Sequence, residues 1–394
     1  MTLDLTPYQA VLIASFGGPE APEQVRPFLH RVTGGRPIPP SRLDEVAQHY
    51  LDRGGVSPIN DETRALVEAV REELLRRGAD LPVVWGARHS DPFLGDTITE
   101  LTQRGVERVV AVTTSAYPSY SSCRAYREDL YAGQQQAGGS PEIDRIRQYA
   151  HHPGFVEANV DAAHEALAEL EQATPGSDDT PCLVFVTHSI PVTMSQTSGP
   201  EPRSEDGSYV PWHRTVAEHV AGRLASERGG LAAAPNWELA YCSRSGRPQD
   251  PWLEPDVNDL LERLAGQGVR RVVLVPIGFV SDHMEVLHDL DTTAVATASR
   301  LGITVRRAST ARTHPAFVAG LVDLIVERAK VARGETVLPE VIDHGSPGRY
   351  ECSANCCPNL TDPEKPALGQ TVPVETPSGE ASPRSGQVWS AEAP

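Results

Sequence analysis

The chain has 394 residues, of which 39% are hydrophobic, and this is enough for a large core divided between two domains. Its formal net charge of −18 at pH 7 argues against nucleic acid as a partner, because phosphate binding needs a basic surface. The sequence has no apolar run long enough to span a membrane and starts without the basic region of a secretory signal, so we expect a cytoplasmic protein.

Short apolar segments alternate with amphipathic segments along most of the chain. The predicted strands, in chain order, are AVLIASF (10–16), LPVVWGA (81–87), RVVAVTT (108–114), CLVFVTH (182–188), WELAYCS (237–243) and RVVLVPI (271–277). Helical patterns lie between them, for example at 61–78 and 156–173. Apolar strands separated by helices predict parallel βαβ units and an α/β fold.

The two halves of the chain resemble each other. An Asp-Pro-aromatic-Leu motif, a helix, a Gly-Val pair and an apolar strand follow one another from Asp91 and again from Asp250. This repeat predicts two similar Rossmann-like, doubly wound halves with parallel sheets, whose ligand lies beyond the carboxyl ends of the strands in a cleft between them. The expected divisions are an N-terminal half at 1–175, a C-terminal half at 176–340, a Cys-rich segment at 341–360 and a disordered tail at 361–394.

An unusually charged run, SDHMEVLHDLD (281–291), directly follows the last apolar strand. Asp282 with Glu285 three residues later resembles a capping box at the start of a helix. If a helix begins near 282, Glu285 and Asp289 lie on the same face, with Asp282 on the same side. The run therefore predicts a helix cap, a row of carboxylates directed into the cleft, or both.

His188 ends a predicted strand at the position that Phe16 occupies in the first half. A histidine at a strand end is more often structural. However, a neutral imidazole that faces carboxylates across a cleft can bind a divalent metal or accept protons. A histidine with one or two carboxylates suits Fe²⁺, and so sparse a ligand set favours transfer of the metal over its storage.

Three cysteines, Cys352, Cys356 and Cys357, lie within the short segment ECSANCCPN (351–359). Clustered cysteines in a cytoplasmic protein suggest a metal site, and Cys123 on a loop at a strand end is the candidate fourth ligand. Four thiolates can hold a [2Fe–2S] cluster, with zinc as the alternative and surface thiols as the third possibility. Both adjacent cysteines can bind only if the backbone turns sharply between them.

The predicted cleft has an apolar and aromatic lining, and the sequence contains none of the common nucleotide-binding motifs. This lining predicts a large, flat, partly apolar ligand with anionic groups at its edge. The candidate contacts are Phe16, Tyr126 and Trp252 for its faces and Arg36, Ser57 and Arg124 for its anionic groups.

Several motifs resemble those of ferrochelatases, over about residues 8 to 335. They are SFGGPE (15–20), YLDRGGVSPIN (50–60), VTHSIP (186–191), DPWLEPDV (250–257) and PIGFVSDHMEVLHDLD (276–291). The resemblance implies two Rossmann-like halves around a porphyrin cleft and an enzyme that inserts Fe²⁺ into a porphyrin. It implies that His188 and Glu285 are the catalytic pair and contact the iron substrate. It also implies that Asp282 and His283 orient the site and that Asp289 continues a metal or proton path.

The sequence departs from the family pattern at two cleft positions. Phe16 stands where some bacterial members have a tyrosine that reaches the metal, and Gly34 stands where related sequences have an arginine for a propionate, which Arg36 can replace. The spacing of the cysteine trio also differs from that of vertebrate members with a [2Fe–2S] cluster. It is more similar to actinobacterial members, which implies a [2Fe–2S] cluster held by Cys123, Cys352, Cys356 and Cys357.

The same likeness to actinobacterial members implies coproporphyrin III as the porphyrin, and we expect the enzyme to be a monomer. Coproporphyrin III has four propionates and is water-soluble, which fits a sequence with no recognisable membrane anchor. Three alternatives stay open: a protoporphyrin IX ferrochelatase, a cobalt or nickel chelatase for a related tetrapyrrole, and a non-catalytic porphyrin carrier.

Overall fold

The computed structural model describes residues 3–34, 39–177, 179–227, 236–245 and 249–369. The strands are β1 (Ala10–Ser15), β2 (Val83–Ala87), β3 (Arg108–Thr113), β4 (Glu142–Arg145), β5 (Cys182–His188), β6 (Asn236–Cys242), β7 (Arg271–Val275) and β8 (Thr304–Arg307). The helices are α1 (Pro22–Thr33), α2 (Pro40–Leu51), α3 (Ile59–Arg76), α4 (Leu94–Gln103), α5 (Ala125–Gln136), α6 (Pro153–Ala173), α7 (Val192–Gln196), α8 (Tyr209–Glu227), α9 (Val257–Gly266), α10 (Met284–His288), α11 (Val295–Leu301) and α12 (Pro315–Ala332). One-turn π-helices lie at Tyr120–Arg124 and Asp289–Ala294.

The strands form two parallel sheets of the same topology, with the orders β2-β1-β3-β4 and β6-β5-β7-β8. Each strand of the first sheet therefore has a counterpart in the second, and each third strand is followed by a π-helix. The prediction of two similar, doubly wound α/β halves is confirmed. β1 and β5 are corresponding central strands, which end at Ser15 and His188 respectively. Phe16 is therefore the first residue after β1, whereas His188 is the last residue of β5.

All six predicted strands are present, and β4 and β8 are two further strands that the sequence pattern did not reveal. Their sequences, EIDR and TVRR, contain no apolar run, because both lie at sheet edges and are less buried than the central strands. Charged residues are common on such edges, where they discourage further pairing.

The two halves exchange helices across their boundary. α6 precedes the expected division at 175, yet it packs against β7 and β8 of the second sheet and against α8. α12 follows the second sheet and packs against α3 and β3 of the first half as well as α6. One buried apolar cluster consequently runs from Val11 and Leu66 through Phe155 to Phe185 and Val275, so the halves share a core.

The C-terminal segment packs against the first half as far as residue 369. Ala367 is buried, and the Leu368 N–H donates to the Arg127 carbonyl at 3.0 Å. Packing thus extends past residue 361, where the disordered tail was expected to begin, and residues 370–394 of that tail lie outside the described residues. No helix in the described ranges is both long and apolar enough to cross a bilayer.

Candidate active site

His188 and Glu285 face each other where the second sheet opens into the cleft. β5 ends at His188, and Glu285 lies in the first turn of α10, which begins four residues after Val280. The His188 Nε2 lies 3.4 Å from the Glu285 Oε2. The imidazole is about one-third exposed and the carboxylate half-exposed, so both are accessible from the cleft. The structure therefore brings the two predicted catalytic residues together.

His188 and Glu285 shift each other's pKa in the directions that favour an ion pair. Burial alone would lower the pKa of His188, but the hydrogen bond and charge of Glu285 outweigh it and raise the pKa. Burial alone would raise the pKa of Glu285, but the hydrogen bond and charge of His188 lower it to about 2. The imidazolium and carboxylate thus stabilise each other.

His283 lies beside this pair as the residue before α10. Its Nδ1 is 4.0 Å from the Glu285 Oε2, and its ring packs edge-on against Phe279 with centroids 5.1 Å apart. Burial lowers the pKa of His283, which favours the neutral ring. This placement agrees with the expectation that His283 supports Glu285.

Asp282 is buried and points away from the Glu285 face. Its carboxylate accepts hydrogen bonds from Arg307 at 3.0 and 3.2 Å, from Thr310 at 3.1 Å and from Arg312. Because the helix begins only at Met284, Asp282 is not the cap and does not lie in a row with Glu285 and Asp289. The capping-box interpretation is therefore wrong, and Asp282 instead anchors the loop that leads into α10.

Asp289 continues the acidic face from Glu285, one helical turn further on. It accepts a hydrogen bond from the Ser243 hydroxyl, and burial raises its pKa. Two other ionisable residues of the same run have different partners: His288 stacks on His49 with ring centroids 3.7 Å apart, and Asp291 pairs with Arg307. Of the carboxylates expected to lie in a row, Glu285 and Asp289 therefore remain.

A lobe of the first half closes over the site. Its buried residues are Val25, Phe28, Leu29, Ala47 and Tyr50, and Met284 of the second half packs among them. Phe16 borders this lobe, with its ring edge-on to Phe28 at 6.2 Å and to His89 at 4.7 Å. Met284, the residue before Glu285, thus packs in the lobe that Phe16 borders. The carboxyl ends of both sheets therefore face one cleft.

The other predicted porphyrin contacts divide into two groups. Trp252 pairs with Pro191, next to the His188 loop, and Ser57 is buried with its Cβ close to Gly18. Arg36 lies outside the described residues.

Arg124 and Tyr126 are placed away from the cleft. Arg124 is 1% exposed; its guanidinium donates to Glu128 at 3.1 Å and to the carbonyls of Ala354 and Lys365, both at 2.8 Å. Tyr126 lies in the core of the first half beneath Arg88. Glu128, one helical turn after Arg124, neutralises that arginine internally, which the sequence reading overlooked.

The four predicted cysteine ligands form one buried cluster. Cys123 comes from the first π-helix, and Cys352, Cys356 and Cys357 come from the C-terminal segment. Cys357 has a φ of 52°, in the left-handed region, which supplies the sharp turn that two adjacent ligands require. All four cysteines are free thiols, so no disulfide competes for them.

Hydrogen-bond donors point at three of these four sulfurs, those of Cys123, Cys352 and Cys357. Arg145 points one nitrogen at each of Cys123 and Cys352 at 3.8 Å, Gln148 donates to Cys123 at 2.7 Å, and the Gly199 N–H donates to Cys357 at 3.1 Å. The Nη1 of Arg127 is buried and has no hydrogen-bond partner among the described residues, while the Nη2 of the same side chain donates to the Cys352 carbonyl at 3.1 Å. Cations and N–H groups directed at sulfur stabilise thiolates, as they do around iron–sulfur clusters.

No group of three or more His, Cys, Asp or Glu side chains in the described ranges is arranged to hold a single metal ion. The four sulfurs in contact therefore do not form a ready one-ion site.

Sequence reasoning missed a polar network that joins the halves behind α10. Arg312 pairs with Asp282 and, at 3.0 Å, with Glu62 of α3, which also accepts the Asp282 N–H at 2.7 Å. Burial, with the charge of Asp282, raises the pKa of Glu62 to about 7. The members lie far apart in the chain and follow no periodic pattern, so no sequence signal marks them.

The chain is thus a two-half α/β protein in which a histidine and a carboxylate face each other at the strand ends of the second sheet. The sequence model of the family described as Ferrochelatase matches residues 8–329. The chain belongs to the ferrochelatase family.

Similar proteins share most of the chain. It is 47% identical over 376 residues to the coproporphyrin III ferrochelatase of Streptomyces coelicolor, covering 94% of this chain and 98% of the relative. It is 43% identical over 367 residues to the coproporphyrin III ferrochelatase of Propionibacterium freudenreichii, covering 92% and 98%. Among solved structures, the sirohydrochlorin chelatase SirB from Bacillus subtilis subspecies spizizenii in complex with cobalt aligns at 12% identity and a TM-score of 0.48, covering 83% and 97%.

Proposed function

We propose that this enzyme inserts Fe²⁺ into coproporphyrin III. The observation that carries the proposal is the contact between His188 and Glu285 at the mouth of the second sheet, opposite the apolar lobe around Phe16. The porphyrin is inferred from the names of the relatives, all of which share nearly the whole chain.

The geometry supports a division of work between the two sides of the cleft. Phe16, which is only partly buried at the edge of this lobe, would contact one face of the macrocycle, while His188 and Glu285 would face its central nitrogens. Insertion of Fe²⁺ releases two pyrrole protons without any change of oxidation state. His188 in its neutral form accepts a pyrrole proton, the Glu285 carboxylate attracts the arriving cation, and Asp289 continues the acidic face toward Ser243.

A metallation assay tests this proposal. We expect the wild type to metallate coproporphyrin III in preference to protoporphyrin IX, measured by the visible absorption of the product. His188→Ala and Glu285→Gln should each lower turnover by about 10²-fold or more, because each removes a group at the metal and proton transfer step. Binding of the porphyrin, measured by its fluorescence, should be largely retained.

Three results would contradict the proposal. Normal turnover by either variant excludes the proposed mechanism. Preference for protoporphyrin IX, or for cobalt or nickel over iron, changes the substrate. Tight stoichiometric binding with no metalloporphyrin released indicates a carrier rather than an enzyme.

We further infer that Cys123, Cys352, Cys356 and Cys357 hold a [2Fe–2S] cluster. Support comes from their common burial, the turn at Cys357 and the donors around the sulfurs. When bound, the cluster would supply a buried, redox-capable crosslink between the first half and the C-terminal segment. Because metallation needs no electron transfer, the expected role is structural or sensory.

The visible spectrum of protein purified without oxygen tests the cluster. We expect absorption typical of a [2Fe–2S] centre in the wild type and its loss in Cys352→Ser. Cys182→Ser is the matched control, since Cys182 is equally buried but lies in β5, outside the cysteine cluster. If the wild type is colourless and contains stoichiometric zinc, the four cysteines hold zinc and the inference of a [2Fe–2S] cluster is wrong.

A further inference from the structure

A buried hydrogen-bond network lies directly behind His188. The Tyr209 hydroxyl, at the start of α8, is 2.9 Å from the His188 carbonyl oxygen and 2.9 Å from the Thr187 hydroxyl. Thr187 in turn lies 2.8 Å from His213 Nε2, and His213 Nδ1 lies 2.7 Å from the Tyr209 carbonyl oxygen. Thr187 and His213 have no solvent exposure, so this network is internal.

The acceptor groups of this network determine which atoms carry its hydrogens. His213 Nδ1 faces a carbonyl, which can only accept, so Nδ1 carries the hydrogen and Nε2 accepts from the Thr187 hydroxyl. Burial lowers the pKa of His213 to about 3, which keeps the ring neutral. The single Tyr209 hydrogen is therefore shared between Thr187 and the His188 carbonyl. Tyr209 thus fixes the backbone that carries the catalytic imidazole.

The same tyrosine is held from the other side by Ser198. The Ser198 hydroxyl accepts the N–H of Ser208 at 2.9 Å and of Tyr209 at 2.8 Å, and so caps the first turn of α8. It donates to the Ser195 carbonyl at the end of α7. Ser198 is fully buried, so no water can replace these bonds from the surface.

The next residue reaches the cysteine cluster. The Gly199 N–H donates to the Cys357 sulfur at 3.1 Å, and Arg203 bonds both the Gly199 carbonyl and the Asn355 carbonyl. Gly199 has a φ of 86°, and a Cβ there would meet the Ser208 Oγ at 2.0 Å, so the loop has little room to shift. A continuous path of short contacts therefore runs from Cys357 through Gly199, Ser198 and Tyr209 to His188.

We propose that Ser198 and Tyr209 are positioning residues for His188 and that the four-cysteine site sets their position. The proposal rests on the proposed function of the cleft and deepens it by giving the cysteine site a purpose. A thiolate ligand accepts the Gly199 N–H more strongly than a neutral thiol does. Binding of a metal group to the four cysteines therefore holds the Gly199 loop, the first turn of α8 and the His188 carbonyl more firmly in position. Loss of that group leaves all three less firmly held.

The test compares Tyr209→Phe, Ser198→Ala and Cys357→Ser with a control. Tyr8→Phe removes another buried tyrosine hydroxyl, which contacts Asp144 at 2.8 Å at the opposite end of the first sheet. We expect Tyr209→Phe to lower kcat about fivefold with the KM for porphyrin unchanged, as loss of one positioning hydrogen bond implies. Tyr8→Phe should leave both constants unchanged.

A second measurement does not depend on turnover. The ring signal of His188, identified by its absence in His188→Ala, is recorded by NMR in uniformly histidine-labelled protein. It should shift in Tyr209→Phe, Ser198→Ala and Cys357→Ser, and stay in place in Tyr8→Phe. The double variant Cys357→Ser/Tyr209→Phe should shift the signal and lower kcat by no more than the larger single change, because both act through one path.

An unchanged His188 signal in Tyr209→Phe would overturn the proposal, as would fully additive effects in the double variant. A wild type that inserts no metal would refute the proposed function instead, since the NMR comparison would still report whether the path exists. If Ser198→Ala fails to fold, Tyr209→Phe decides the question alone, because it removes a single oxygen.

Discussion

The charge on the His188–Glu285 pair has a measurable consequence for pH dependence. The raised pKa of His188 depends on Glu285, because burial acting alone would lower it. A protonated imidazole cannot accept a pyrrole proton, so the rate of metallation should rise as pH increases through the pKa of His188.

Removing the carboxylate should lower the pKa of His188. In Glu285→Gln the hydrogen bond and charge that do most to raise this pKa are lost, while burial still lowers it and only the Ser189 carbonyl and the Asp289 charge oppose burial, so we expect the pKa of His188 to fall from its value in the wild type. Histidine NMR across a pH series measures this directly. Asp291→Asn is the matched control: it removes a carboxylate from the same run, but one that pairs with Arg307. An unchanged or higher pKa in Glu285→Gln would show that another group sets the titration.

Candidate site residues are easier to find in the sequence than the residues that support them. His188 ends a predicted apolar strand and Glu285 follows another, and the resemblance to ferrochelatases pairs the two. Arg312, Glu62 and Tyr209 could not be found, since their partners lie far away in the chain and only the folded structure brings them together. Arg124 was wrongly assigned to the cleft for the same reason, because its partners lie far away in the C-terminal segment.

Among the elements, β5 and the chain after β7 lie in close contact near the site. Gly278 follows β7, and its N–H donates to the Val186 carbonyl at 3.2 Å. A Cβ at Gly278 would meet the Thr187 Oγ1 at 2.2 Å and its Cα at 2.8 Å. The absence of a side chain at this position therefore lets the two segments lie side by side.

Gly278→Ala should destabilise the protein by about 1–3 kcal/mol, because the added methyl group forces β5 and its neighbour apart. Urea unfolding followed by circular dichroism measures this. Gly222→Ala is the control: Gly222 lies within α8 with open space around its Cβ position, so alanine should be neutral or slightly stabilising. Equal stability of the two variants would mean that the strands separate without cost.

The strands show how far element prediction reaches. Central strands such as β1 and β7 are buried on both faces, so their apolar runs identify them from sequence alone. β4 and β8 were missed because they are four-residue strands with charged sequences, whereas the other two edge strands, β2 and β6, are apolar enough to be recognised. The start of α10 was placed two residues early, since Asp282 has the composition of a cap but bonds to arginines instead.

For the molecule as a whole, the C-terminal segment acts as a clamp on the first half. Its carbonyls accept four hydrogen bonds from two buried arginines, Arg124 and Arg127, and its cysteines cover Cys123. Without the segment these guanidinium groups would lose their acceptors while remaining next to the core.

A chain ending at Arg349 should therefore be less stable by about 3 kcal/mol or more, because several buried charged donors are left unpaired. Thermal unfolding measures the loss. A chain ending at Gly369 keeps every contact described here and should match the full-length protein. If the chain ending at Arg349 is as stable as the full-length protein, the C-terminal segment does not contribute to the stability of the fold.

The exchange of α6 and α12 also constrains how the protein is made. α12 completes the packing of α3, although some 240 residues separate them in the chain. During synthesis, the apolar surface of the first half that α12 covers therefore stays exposed until almost the whole ferrochelatase sequence has left the ribosome. Neither half is an independent folding unit, and a nascent chain stalled before α12 is a natural substrate for chaperones.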